Sequence, residues 1–99
     1  MEKKYYAKAI EVYTEAIETK RDFIVLYTNR ALAYIKLEKY EEAMKDCTKL
    51  LDYCDCFEDG YMKSKNLTFK AFLRRAHCQK ELKNYEEALK DVEEALLID

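Results

Sequence analysis

Tyr27-Thr28-Asn29-Arg30-Ala31-Leu32-Ala33-Tyr34-Ile35-Lys36-Leu37-Glu38-Lys39-Tyr40-Glu41-Glu42-Ala43-Met44-Lys45-Asp46 reads as the end of one helix, a tight turn at Glu38-Lys39 and the start of a second helix. Its second half recurs as Leu82-Lys83-Asn84-Tyr85-Glu86-Glu87-Ala88-Leu89-Lys90-Asp91, and Arg30-Ala31 recurs as Arg75-Ala76, all at an offset of 45 residues. A helix, turn and helix repeated in register marks an array architecture, in which each unit buries its apolar face only against its neighbours.

Working outward, the second-helix template occurs three times. Tyr6, Ala9, Ile10, Tyr13, Ala16 and Ile17 share one helical face in the segment Lys4 to Thr19. Ala43, Met44, Cys47, Leu50 and Leu51 repeat the spacing between Tyr40 and Tyr53, and Tyr85, Ala88, Leu89, Val92, Ala95 and Leu96 repeat it again. The alanines Ala9, Ala43 and Ala88 stand 34 and then 45 residues apart. A helix from about Phe23 to Leu37, with Asp22 as its candidate N-cap, precedes the second copy and packs through Tyr27, Ala31 and Tyr34. Ala31 is small where helices approach closely, and Ala43 is placed to face it. Another helix, from about Leu67 to Leu82 with Asn66 as candidate N-cap, precedes the third copy and packs through Phe69, Phe72 and Ala76. Most of the nine tyrosines fall on these stripes and read as core.

Composition agrees with short-linked helices. One Gly, no Pro and 38% charged residues leave little turn punctuation. The 18 basic and 20 acidic side chains nearly cancel, so no net field favours nucleic acid or an acidic membrane. No apolar run reaches membrane-spanning length and no signal peptide is visible. Cys47 and Cys78 lie within helices as small hydrophobes, whereas Cys54 and Cys56 form a C-x-C at the mouth of a polar segment. Zinc needs well-spaced pairs or Cys with His, and His77 is the single histidine, so the reading is a reduced, metal-free chain of the cell interior. Glu41-Glu42 and Glu86-Glu87 are neighbours only in sequence, since adjacent helical positions diverge by about 100°. Ser64 has no evident base and no Gly-rich phosphate loop exists, so nothing here reads as an enzyme.

The 34-residue period and the small-residue pattern resemble the tetratricopeptide repeat, over essentially the whole chain. Tyr27, Ala31, Tyr34, Tyr40, Ala43 and Leu50 fill that family's signature places in the middle repeat, and Phe72, Ala76, Tyr85, Ala88, Val92 and Ala95 those of the last. The resemblance implies an all-α fold of about five helices, stacked as helix-turn-helix repeats in a right-handed superhelix. The expected division is a half repeat at 1–20, a repeat at 22–53, an insertion at 54–65 and a repeat at 66–99, without the first helix of the first repeat. The 11 extra residues behind the 45-residue spacing read as a lengthened connection, with or without added turns on its flanking helices, or as a partner-contacting loop. Leu89, Leu96 and Leu97 would be left without a covering helix.

In such a stack the first helices of the repeats face a concave groove. Lys70, Arg74 and His77 follow one another at steps of four and three, on a face distinct from Phe72, Ala76 and Gln79. Asn29 holds the place equivalent to Arg74 on the preceding helix, with Lys36 two turns further on. An amide, a guanidinium, an imidazole and two ammonium groups on one face suit a carboxylate. The two stretches are similar to those of tetratricopeptide co-chaperones. There five residues clamp the C-terminal Glu-Glu-Val-Asp tail of cytosolic heat-shock chaperones, and Asn29, Lys70 and Arg74 match three of the five. The other two belong to the absent first helix. The resemblance thus implies a cytoplasmic, cofactor-free, co-chaperone-like adaptor that binds an acidic C-terminal peptide through Asn29, Lys70, Arg74, Lys36 and His77. The alternative is a structural scaffold that self-associates, or docks another partner, through exposed helix faces at its ends.

Overall fold

The computed structural model describes residues 3–21, 23–57 and 65–98, and these form five helices. In chain order they are α1 (Lys3–Thr19), α2 (Val25–Lys36), α3 (Tyr40–Phe57), α4 (Lys65–Glu81) and α5 (Tyr85–Ile98). Each packs on the next, and α2 also packs on α4, whereas among the described residues the backbones of α1, α3 and α5 do not approach one another closely. Consecutive helices joined by tight turns run antiparallel, so α2 and α4 lie side by side in one layer and α1, α3 and α5 form the other. The smallest dimension of the molecule is 18 Å, which suits two layers of helices about 10 Å across. Because only the α2–α4 layer closes up laterally, that layer lies on the inside of the curve.

The two helix-to-helix turns are the same device used twice. Glu38 has φ 61° and Lys83 has φ 66°, the left-handed conformation that ends many helices. The Glu38 N–H donates to the Ile35 carbonyl (2.9 Å) and the Lys39 N–H to the Tyr34 carbonyl (2.9 Å). The Lys83 N–H donates to Lys80 (2.9 Å) and the Asn84 N–H to Gln79 (2.7 Å) in the same pattern. Carbonyls that the helix would leave unsatisfied are thereby paired. Lys39 and Asn84 then accept from Ala43 (3.1 Å) and Ala88 (3.0 Å), opening the next helices. Glu41-Glu42 and Glu86-Glu87 occupy the first turns of α3 and α5, where carboxylates meet the positive end of the helix dipole.

Ala31, Ala43, Cys47, Leu50, Cys54, Ala71, Cys78 and Ala95 are fully buried and, with Leu51, Phe72, Ile24 and Ile98, form one continuous core. Cys54, expected at the mouth of a polar segment, is therefore a core residue of α3. That helix runs through Phe57 and α4 opens at Lys65, so residues 54–57 and 65 of the expected insertion are helical, and residues 58–64 lie outside the described ones.

Asp22 lies outside the described residues, and α2 is preceded by Ile24 with helical dihedrals and no side-chain cap. Asn66 sits inside α4 rather than before it; there the Thr68 hydroxyl donates back to the Lys65 carbonyl (3.1 Å). The expected packing stripe of α5 is only partly buried. Ala88 and Ala95 are inside, whereas Tyr85, Leu89 and Leu96 are more than half exposed, with Leu97. The equivalent stripe of α3 is covered because α4 packs over it, and no described element packs over the outer side of α5. The tyrosines also lie at the margin rather than the centre of the core: Tyr27, Tyr34, Tyr40 and Tyr53 pack against it partly buried, and Tyr5 and Tyr85 are exposed.

Candidate functional site

The site is built from three layers of side chains, beginning with two ion pairs that hold the repeats rigid. Arg30 of α2 grips Asp46 of α3 with two hydrogen bonds, Nε to Oδ2 at 2.7 Å and Nη2 to Oδ1 at 2.6 Å. Its Nη1 donates to the Thr14 hydroxyl of α1 at 3.1 Å. Arg75 of α4 repeats this with Asp91 of α5 (2.9 and 2.8 Å) and with Thr48 of α3 (3.1 Å). Each arginine thus ties three successive helices. Arg30 also stands over the Tyr27 and Tyr34 rings, and Arg75 over the Phe72 ring. The hydrogen bond to Asp46 holds the Arg30 guanidinium above its ordinary value. Burial pushes the Asp46 carboxyl up, while Arg30 pulls it back. Sequence reasoning noted the echoes of Arg30 and Asp46 but not the pairing. The signal was present: Arg and Asp stand 16 residues apart in both repeats.

Arg74, next in sequence, has a different environment. It points into the α2–α4 seam, where Nη1 donates to the Thr28 carbonyl at 2.7 Å. Burial lowers its affinity for the proton, with the nearby Cys47 acting in the opposite direction. Among the described residues no carboxylate pairs with it, whereas Arg30 and Arg75 each have one. A partly desolvated cation with only a carbonyl oxygen as partner is incompletely compensated.

The other expected residues lie on the same two helices, α2 and α4. Asn29, half-buried, follows the residue whose carbonyl Arg74 holds. Since α2 and α4 run parallel, positions 45 apart lie at similar heights, and Asn29 is level with Arg74. Lys70 is exposed one turn before Arg74 on α4. His77, exposed one turn after it, sets its ring edgewise against Tyr40 at the start of α3, with centroids 6.0 Å apart. Lys36, exposed in the last turn of α2, stands about 10 Å further along the axis than Asn29 at 1.5 Å per residue. Lys70, Arg74 and His77 thus follow one another on α4, Asn29 follows the residue that Arg74 bonds, and Lys36 stands two turns beyond Asn29 on α2. Next to His77 an apolar groove of about 430 Å³ opens between α4 and α5, lined by Leu73, Ala76, Tyr85, Ala88, Leu89 and Val92, with Lys80 at its edge.

The sequence profile of the tetratricopeptide repeat matches residues 1–23, 24–54 and 69–99. The chain belongs to the tetratricopeptide repeat family. Human sperm-associated antigen 1 is 38% identical over 96 residues, covering 97% of this chain and 9% of that protein. Hsp70-Hsp90 organizing protein 3 of Arabidopsis thaliana is 35% identical over 97 residues, covering 95% of this chain and 17% of that protein. The chain thus spans less than a fifth of the length of either relative. A solved structure of the second tetratricopeptide domain of Spaghetti (RPAP3), bound to the HSP90 peptide SRMEEVD, superposes with a TM-score of 0.79 at 37% identity, covering 95% of this chain and 77% of that one. The tetratricopeptide repeat is a protein-interaction module. Among the chain's described residues no helix is long and apolar enough to cross a membrane.

Proposed function

We propose that the α2–α4 seam captures the free C-terminal carboxylate of an acidic peptide, of the kind that ends in Glu-Glu-Val-Asp on heat-shock chaperones. The observation that carries this reading is Arg74: partly buried, fixed by the Thr28 carbonyl, and without a carboxylate among the described residues. An incoming carboxylate completes its coordination, Asn29 donates from the level of Arg74, and Lys70 adds a point charge from one turn below. The bound HSP90 peptide of the similar RPAP3 domain supports the same ligand class. On this reading the chain is a cytoplasmic, co-chaperone-like adaptor.

Calorimetric titration with SRMEEVD and with its C-terminally amidated form tests the reading. Binding is expected to be lost on amidation, and to weaken at least about tenfold in Arg74→Ala, roughly the 1.4 kcal/mol of one charge-assisted hydrogen bond. Helical circular dichroism should persist in that variant. Affinity unchanged by amidation or by Arg74→Ala would overturn the proposal.

A scaffold reading rests on a separate observation, the exposed row Tyr85, Leu89, Leu96 and Leu97 on α5. It requires mass that rises with concentration in sedimentation equilibrium, and a strict monomer at high concentration excludes it.

A further inference from the structure

The two arginine ties are alike in their hydrogen bonds and unlike in what lies beside them. Arg30 stands between Thr14 of α1 and Asp46 of α3, with the Tyr27 ring 5.9 Å and the Tyr34 ring 5.8 Å from its guanidinium. Arg75 stands between Thr48 of α3 and Asp91 of α5, and Phe72, the counterpart of Tyr27, lies 5.7 Å from it. The counterpart of Tyr34, at the same offset of 45, is Gln79. There a groove of about 880 Å³ opens between α3 and α5, floored by Arg75, Gln79 and Leu82 and walled by Met44 and Thr48. The Asn84 Nδ2 donates to Gln79 Oε1 at 3.0 Å, which draws the Gln79 amide toward the turn after α4. We infer that this groove takes a tyrosine side chain presented by a partner protein, its ring settling beside Arg75 as Tyr34 settles beside Arg30.

The groove lies in the outer layer, apart from the α2–α4 seam, so the inference does not depend on carboxylate capture at Arg74. Its cation is fixed in advance. Two bonds to Asp91 and one to Thr48 hold the guanidinium, so an incoming ring need not order it. Pairing with a carboxylate does not keep rings away, because Arg30 holds Asp46 by two bonds and still has two rings within 6 Å. The volume falls within the roughly 300–1,000 Å³ of clefts that enclose small ligands, enough for a ring and its adjoining backbone. Met44 and Leu82 supply apolar contact for the ring.

Charge does not select the partner here. Lys45 and Lys49 on the α3 wall are matched by Glu41 and Asp52 on the same wall. Arg75 is matched by Asp91, and Glu87 on the α5 side pairs with Lys90 at 3.5 Å. What distinguishes the groove is the ring that the preceding repeat supplies for itself and this repeat does not place at position 79.

The test is heteronuclear NMR on the 99-residue chain, titrated with N-acetyl-Ala-Tyr-Ala-amide and with the same peptide carrying leucine at its centre. The tyrosine peptide should move the amide signals of Thr48, Arg75 and Gln79 and the Arg75 Nε signal, with a Kd on the order of millimolar. The leucine peptide should bind about two- to fivefold more weakly, the ratio that one exposed cation–π contact supplies. Gln79→Tyr places the ring from inside the chain. It should raise Tm by about 2–8 °C and abolish the peptide-induced shifts at Thr48 and Arg75. Equal affinity for the two peptides, shifts confined to other parts of the chain, or no shifts at all overturn the inference. So does a Gln79→Tyr chain no more stable than the unaltered one, since no ring then fits beside Arg75, or one that binds the tyrosine peptide as before.

Discussion

Removing the charge of Arg30 should destabilise the fold strongly. Arg30→Met keeps an unbranched stem against Tyr27 and Tyr34 but strips Asp46 of both hydrogen bonds (2.7 and 2.6 Å). The Asp46 side chain is 4% exposed and that of Arg30 17%, so the carboxylate is left nearly dry while its former partner was slightly hydrated. Breaking a buried pair on one side costs about 3–5 kcal/mol. The residual exposure of Arg30 favours the lower end, about 3 kcal/mol, a large share of the 5–15 kcal/mol typical of a domain. Urea unfolding followed by helical circular dichroism should show the midpoint falling by roughly 2 M, for a slope near 1.5 kcal/mol/M. The sign of the pH dependence follows from Asp46. Burial already pushes its carboxyl up, and losing Arg30 pushes it further, so the folded variant binds a proton that the unfolded chain has released. The variant's stability therefore falls as pH rises above the ordinary carboxylate value, and its deficit relative to the unaltered chain should narrow from pH 7 toward pH 4. Arg30→Met/Asp46→Leu should recover most of the loss, because an apolar pair needs no compensation. A loss below about 1 kcal/mol, or a double variant no more stable than the single one, would refute the reasoning.

Three further outcomes are expected. Lys83→Gly should raise stability by about 0.5–1 kcal/mol in urea unfolding, because a side chain at φ 66° carries a steric cost that glycine lacks; Lys83→Ala should bring no such gain. Ala43→Leu should lower stability by about 1–3 kcal/mol, since both Ala43 and Ala31 are fully buried in the same core. Alkylation mapped by mass spectrometry at pH 8 should spare Cys47 and Cys78 in the folded chain and label both in urea. Burial pushes their thiols up to about 12 and about 11, so little thiolate is present to react. Labelling of Cys47 at the rate seen in urea would contradict the buried position.

Much of the fold was legible because its signals are short-range. Helical periodicity, the offset of 45 residues and the paired turns at Glu38 and Lys83 are written within stretches of about twenty residues. The equivalence of Asn29 and Arg74 was legible for the same reason. Periodicity names a face, however, and says nothing of what covers it. The stripe Ala43, Met44, Cys47 and Leu51 is buried or partly buried beneath α4, while Tyr85, Leu89 and Leu96 in the same register stand open. Cys54, which the sequence places at the mouth of a polar segment, is buried by neighbours distant in sequence.

The sequence by itself thus determined the repeat, the helices and their turns, since backbone propensity and capping act within one or two turns of chain. Only the tertiary structure decided that Arg75 closes on Asp91 while its neighbour Arg74 reaches 46 residues back to the Thr28 carbonyl. Two adjacent guanidinium groups diverge by about 100° around one helix, and the helices packed on either side, α5 and α2, give one a carboxylate and the other only a carbonyl oxygen.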